Sequence, residues 1–167
     1  DNVYIGDEFR LGDGASGLSE AMSGFERARA WVAVISSGIA RAALDDAIRY
    51  ATERDQFGVP IAAHQLVQKL LADMACETEA MQLLTYKALA ALDAGGRCDL
   101  PTSMAKVYAS EAAVRVASRA IQVHGACGVT REFPVERHFR NARMLTIPDG
   151  TTQINQLIIG RELTEIP

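Results

Sequence analysis

The sequence predicts an all-α protein, an up-down helical bundle of three long helices and two short ones. Three observations carry that prediction. Apolar residues recur at three- and four-residue steps over stretches far longer than a strand. Pro and Gly punctuation falls at Phe57-Gly58-Val59-Pro60, Gly95-Gly96, Gly125-Ala126-Cys127-Gly128 and Pro148-Asp149-Gly150. Of 167 residues, 49 % are hydrophobic but only 6 % aromatic, so small helix-favouring side chains fill the interior, which suits closely packed helices.

Residues 1–15 carry glycines, aspartates and a short apolar alternation at Val3 and Ile5. They read as the tail of a strand or an extended lead-in, and residues 16–167 as the helical domain. A first helix is expected over 16–54. Leu18, Met22, Phe25, Arg29, Val32, Ile35, Ile39, Ala43, Ala47 and Tyr50 repeat along it, and no proline interrupts it. Gly58 and Pro60 end it. A second helix is expected over 61–93, with Leu66, Leu70, Met74, Met81, Leu84, Ala88 and Leu92 on one broad stripe. A third, over 101–122, starts at Pro101, a favourable first-turn residue, and carries Met104, Val107, Ala112, Val116 and Ile121. Residues 125–128 read as a flexible loop. Pro134 opens a short helix over 134–143, and Thr151 or Thr152 caps a last helix that ends near Leu163.

Composition excludes several function classes. A net charge of −4 argues against a generally basic nucleic-acid surface. Cys76, Cys98 and Cys127 are far apart without CxxC spacing. They argue against a disulfide scaffold and a zinc site, and fit a reducing cytoplasm. No apolar run reaches the roughly 18 residues of a membrane span, and no signal peptide is visible. The chain begins with Asp1, which suggests a piece of something longer.

Three segments are richer than a bundle requires. In Glu53-Arg54-Asp55-Gln56-Phe57-Gly58, a guanidinium and a ring at a helix end suit a phosphate and a flat ligand, or else a solvated arginine beside a core phenylalanine. Gln122-Val123-His124-Gly125-Ala126-Cys127-Gly128 permits close backbone approach, or is an ordinary helix end with a packed histidine. His64, His124 and His138 show no metal-ligand spacing. In Pro148-Asp149-Gly150-Thr151-Thr152-Gln153, the carboxylate is either a turn and cap residue or a base whose orientation the turn fixes.

Together, in this order, the segments YATERDQFGVPIAAHQLVQKLLADMA, QVHGACGV and EFPVERHFRNARMLTIPDGTTQINQLIIGREL resemble the C-terminal helical domain of the acyl-CoA dehydrogenases. The likeness runs from about Leu11 to Leu163. Glu8-Phe9-Arg10-Leu11-Gly12 is similar to the family's linker out of the central β-barrel. The resemblance implies a three-domain subunit, FAD as cofactor, and a chain that is inactive on its own. It assigns Arg54 and Phe57, with Gln56 nearby, to the FAD of a neighbouring subunit. Gln122 and Gly125 hold the adenosine end, with Ala126 standing where the family usually has a second glycine. Thr151 and Gln153 reach the flavin. Arg29 and Gly150 lie on the substrate side.

The resemblance also assigns the base. The common family turn is Tyr-Glu-Gly-Thr; here it is Pro148-Asp149-Gly150-Thr151. Aspartate retracts the carboxylate by about 1.5 Å, and a misplacement near 1 Å can cost about a hundredfold in rate. Some relatives carry the base on the first long helix, where this chain has Ala28, with Glu26 on another face. Asp149 is therefore the candidate base. It would take the α-proton of an acyl thioester while the β-hydride leaves to flavin. The aspartate points to a nonstandard substrate, such as a carrier-protein-tethered acyl group. Two alternatives stay open: a nitroalkane-oxidase-like flavoprotein, and a noncatalytic dehydrogenase-like scaffold. Implied partners are acyl-CoA or an acyl-carrier-protein thioester, a homo-oligomer (dimer or tetramer), and an electron acceptor such as an electron-transfer flavoprotein.

Overall fold

The structure is a computed structural model that describes residues 1–10, 12 and 17–166, without the side chains of Leu18 and Ser19. Leu11, Ser16 and the side chain of Leu18, used above for the linker and the first helix, lie outside the described residues. Five helices are present among the described residues: α1 Gly17–Glu53, α2 Gln65–Ala94, α3 Asp99–His124, α4 Val135–Leu145 and α5 Thr152–Thr164. The all-α bundle of three long and two short helices is as the periodicity predicts.

The buried stripes have the period of close helix packing. Ala33, Ser36, Ala40, Ala43 and Ala47 line α1, and Met74, Thr78, Met81, Thr85 and Ala88 line α2. Alternate steps of three and four keep each set on one face. The threonines and serines belong to the core because their hydroxyls are satisfied within the helix. Thr78 donates to Met74 O at 2.8 Å, Thr85 to Met81 O at 2.7 Å, and Ser36 to Val32 O at 2.8 Å. Met74 and Met81 are fully buried and contribute about 1.5–3 kcal/mol each relative to exposure. α3 is buried on two stripes and packs against all four other helices, so it is the axis of the domain.

Several boundaries differ from expectation. Residues 61–63 do not open α2; Ile61–Ala63 is a 3-10 turn, and α2 starts after His64. The chain between α1 and α2 folds into a hairpin, β1 Asp55–Gln56 against β2 Val59–Pro60. Its two turn residues, Phe57 at φ 55° and Gly58 at φ 84°, have the positive angles of a type I′ turn. The 125–128 loop is part of an ordered 3-10 turn, Gly125–Val129. It is fixed because Gly128 packs directly on Ile121: a Cβ there would lie 2.6 Å from Ile121 O. Residues 1–6 have no regular structure and Asp7–Phe9 is a 3-10 turn; a strand would need an edge to pair with. Met22, Phe25 and Ile35, placed on the apolar stripe of α1, are about half exposed, as are Trp31 and Ile48. That helix therefore has an apolar outer face as well as an apolar inner one.

Candidate active site

The structure sorts the candidate residues into two groups, one at each end of α3. The first group surrounds the end of α1 and the C-terminus of α3. His124 is buried, donates from Nδ1 to Ala120 O at 2.8 Å, and stacks on Tyr50 with ring centroids 4.2 Å apart. Phe133 meets both rings edge-on. Burial holds the His124 imidazole below its ordinary titration range. His124 is thus a packed histidine that ties the two helix ends together. Above it, Gly125 caps α3 at φ 59° with its N–H on Gln122 O, and open space surrounds the position a Cβ would take. Gln122 and Ala126 are exposed, so nothing in this chain requires glycine at position 126.

The hairpin projects from the same end. Arg54 and Gln56 are exposed, and Arg54 makes no ion pair among the described residues. Phe57 is 92 % exposed, which overturns the reading of it as a core phenylalanine. Its ring touches only His64, edge-on at 5.9 Å among the ring pairs described. A phenylalanine held at positive φ and left in solvent serves neither packing nor the turn, which glycine would make with less strain. A free guanidinium, an exposed ring and an open glycine backbone fit the diphosphate and adenine of a dinucleotide.

The second group sits on the turn between α4 and α5, against the first half of α3. Asp149 is half-buried with φ 54°, followed by Gly150 at φ 91°. Of the four non-glycine residues with positive φ among the described ones, Asn2 and Glu165 lie near the chain ends; the other two are Phe57 and Asp149. The turn is closed at its base by Thr152 N–H on Thr146 O at 3.1 Å. From α5, Asn155 Nδ2 donates to Gly150 O at 2.8 Å and Thr151 O at 3.1 Å. Thr151 is the N-cap, accepting from Ile154 N–H at 3.3 Å, and its own hydroxyl hydrogen stays available. The Gly150 N–H has no hydrogen bond among the described residues. Thr151 and Gln153 share a small polar cavity with Glu111 and Arg143, and Glu111 accepts from Thr152 Oγ1 at 2.7 Å.

Arg29 is only 3 % exposed and is paired with Asp99 at 2.9 Å, leaving its Nε without a partner. Asp99 is also held by Arg97 at 2.9 Å, and Arg97 by Glu162 at 2.7 Å. Ala28 is half-buried beside it, and Glu26 is engaged by the Cys98 amide at 3.3 Å, so neither offers a second base. The residues that sequence reasoning did not single out are Lys106, Glu111, Thr146 and Asn155, which hold the Asp149 turn. Among the described residues no group of His, Cys, Asp and Glu could hold a metal, and no helix is long and apolar enough to cross a membrane.

Comparison with known proteins is consistent across sequence and fold. The family model described as acyl-CoA dehydrogenase, C-terminal domain, matches residues 15–164. Caffeyl-CoA reductase-Etf complex subunit CarC of Acetobacterium woodii is 42 % identical over 160 residues, 96 % of this chain and 42 % of that protein. The structure of butyryl-CoA dehydrogenase from Megasphaera elsdenii superposes with a TM-score of 0.93 at 36 % identity, covering 96 % of this chain and 42 % of the other. The prolyl acyl carrier protein oxidase AnaB superposes with a TM-score of 0.92 at 31 % identity, over 98 % of this chain and 43 % of that one. The chain thus spans less than half the length of the relatives it matches.

Proposed function

Because this chain belongs to the acyl-CoA dehydrogenase family, we propose that it is the C-terminal domain of an FAD-dependent enzyme that desaturates an acyl thioester, with Asp149 as the base. The observation that carries this reading is the Asp149 turn. Asp149 is carried at positive φ on a turn whose backbone is tied by Thr152 N–H to Thr146 O and by Asn155 to Gly150 O and Thr151 O, and a base needs such a fixed support.

In this reading the Asp149 carboxylate takes the α-proton and becomes the neutral acid. The Gly150 N–H is free to steady the thioester carbonyl as negative charge develops there. FAD, when bound, supplies the acceptor for the two-electron β-hydride. Thr151 and Gln153 hold its flavin end, Arg54 neutralises diphosphate, Phe57 covers the adenine, and Gln122 with Gly125 takes the adenosine. The α3 helix runs about 24 Å from Lys106, beneath the turn, to Gln122 at 1.5 Å per residue. That span supports the two groups serving different flavins, and so a homo-oligomer in which each subunit completes its partner's cofactor site. Apolar side chains exposed on α1, such as Phe25, Trp31 and Ile35, are what such contacts would cover. The likeness to an Etf-complex subunit supports an electron-transfer flavoprotein as acceptor.

A second reading has its own support. The fold likeness to a prolyl acyl carrier protein oxidase, with aspartate in place of the usual glutamate, favours a carrier-tethered substrate and oxygen as acceptor. One experiment separates the two. The complete flavoprotein, made anaerobic, is titrated with acyl-CoA and acyl-carrier thioesters while flavin absorbance is followed. Bleaching by CoA thioesters supports the first reading. Bleaching by carrier thioesters, with rapid reoxidation by air, supports the second. Bound FAD that no thioester bleaches refutes both.

A further inference from the structure

Lys106 has no exposed surface and is the largest fully buried side chain among the described residues. Among the described residues its Nζ donates to one acceptor, Thr146 O at 3.0 Å. The charged groups that act on it are Glu111, Asp149 and Arg29. Burial pushes the ammonium below its ordinary range, Glu111 and Asp149 oppose that, and Arg29 adds to it. A buried ion with one hydrogen bond for three donors stabilises a fold less than an apolar side chain of the same volume. Thr146 O does not need the lysine, because Thr152 N–H already donates to it at 3.1 Å. Packing therefore does not account for Lys106, and a buried titratable group beside a candidate base has a functional reading.

We propose that Lys106 is a positioning residue for Asp149. Its ammonium clamps the Thr146 carbonyl at the base of the turn and places a buried positive charge there. Glu111 belongs to the same device. It balances Lys106 and, through Thr152 Oγ1, ties the first residue of α5 to α3. The inference rests on Asp149 being the base.

The test uses Lys106→Met and Lys106→Gln in the complete flavoprotein, with Asp149→Asn alongside. Lys106→Met is expected to keep or raise Tm and to bind FAD normally. Its KM should stay within about threefold while kcat falls about ten- to hundredfold. Amide exchange at Thr152, read by mass spectrometry without substrate, should quicken in Lys106→Met. Lys106→Gln keeps a donor without the charge, so it should recover the Thr152 protection but not the rate. Parental kcat in Lys106→Met, with Asp149→Asn inactive, overturns the proposal and leaves the base in place. An active Asp149→Asn overturns the base assignment and the proposal together. If neither lysine variant folds, or if kcat, KM and Tm decline together, Lys106 is structural and the proposal is also overturned.

Discussion

Asp99→Asn should cost far more stability than any substitution of Arg97, although both lie in one ion-pair chain. Arg29 is 3 % exposed and its one partner among the described residues is Asp99, at 2.9 Å. Removing that partner's charge leaves a buried guanidinium uncompensated, which costs about 3–5 kcal/mol. Arg97 is largely exposed, so water screens its bond to the same carboxylate and losing it costs little. For a chain of this size each kcal/mol moves Tm by about 2–4 °C, so Asp99→Asn should lower Tm by roughly 6–20 °C. The pair Arg29→Met with Asp99→Asn should return most of the loss, since an apolar replacement of a buried ion pair is often neutral. Urea unfolding of parent, singles and double gives the coupling directly. The pH dependence has a definite sign. Burial pushes the Asp99 carboxyl up, but hydrogen bonds from Arg97 and Arg29 outweigh this and hold it below its ordinary 3.8. Its contribution is complete above that ordinary value and is lost as pH falls through the lowered folded one. The gap between parent and Asp99→Asn should close in that acid window. A loss below about 1 kcal/mol at neutral pH would show that Arg29 is not held by Asp99 in the folded chain.

Phe57→Gly should keep or raise Tm, because glycine adopts φ 55° without the roughly 1–2 kcal/mol penalty of a Cβ, yet it should weaken FAD binding measured by fluorescence titration. Unchanged FAD affinity would remove Phe57 from the cofactor site. Gly128→Ala should destabilise by about 1–3 kcal/mol in urea unfolding, because its Cβ meets the Ile121 carbonyl at 2.6 Å and Cα at 2.9 Å, backbone atoms that cannot turn aside. His124 is kept neutral chiefly by burial, so its folded value lies below the ordinary 6.5. Stability should fall as pH drops from 6.5 toward that lower value, and His124→Phe should flatten this slope. An equal slope in the variant would assign the effect elsewhere.

What the sequence made legible was written in the backbone's own terms. Helix period, proline and glycine breaks, and the Thr151 cap all follow from local chemistry, and each appears in the structure close to its expected place. The hairpin at residues 55–60 was missed because two-residue strands leave no alternation to read, and a phenylalanine is not the residue that signals a type I′ turn. Thr78 and Thr85 were missed as core residues because their polarity is cancelled only after the helix forms. The candidate site divides the same way. Asp149, Gly150 and Gly125 were legible because a turn needs those residue types, whereas the engagement of Arg29 by Asp99 joins positions 70 residues apart.

Lys106 shows where a usable signal lay. Ser103, Lys106, Ser110, Ala113 and Ala117 repeat in steps of three and four, beside a second stripe of Thr102, Ala105, Ala109, Ala112 and Val116. A helix with small residues on two adjacent stripes must be covered on both, so it lies at the centre of the bundle. A lysine in line with such residues has no solvent to reach at mid-helix, and its ammonium must find an oxygen on a neighbouring element. Main-chain carbonyls are free to accept at turns and at helix C-termini, because those inside a helix are already paired. Periodicity thus says that Lys106 needs such a partner but not which one; the structure supplies it at the connection between α4 and α5, where Thr146 O accepts the bond. The feature that disqualifies Lys106 as a surface residue is legible in the sequence; its meeting with the turn that carries the candidate base is not.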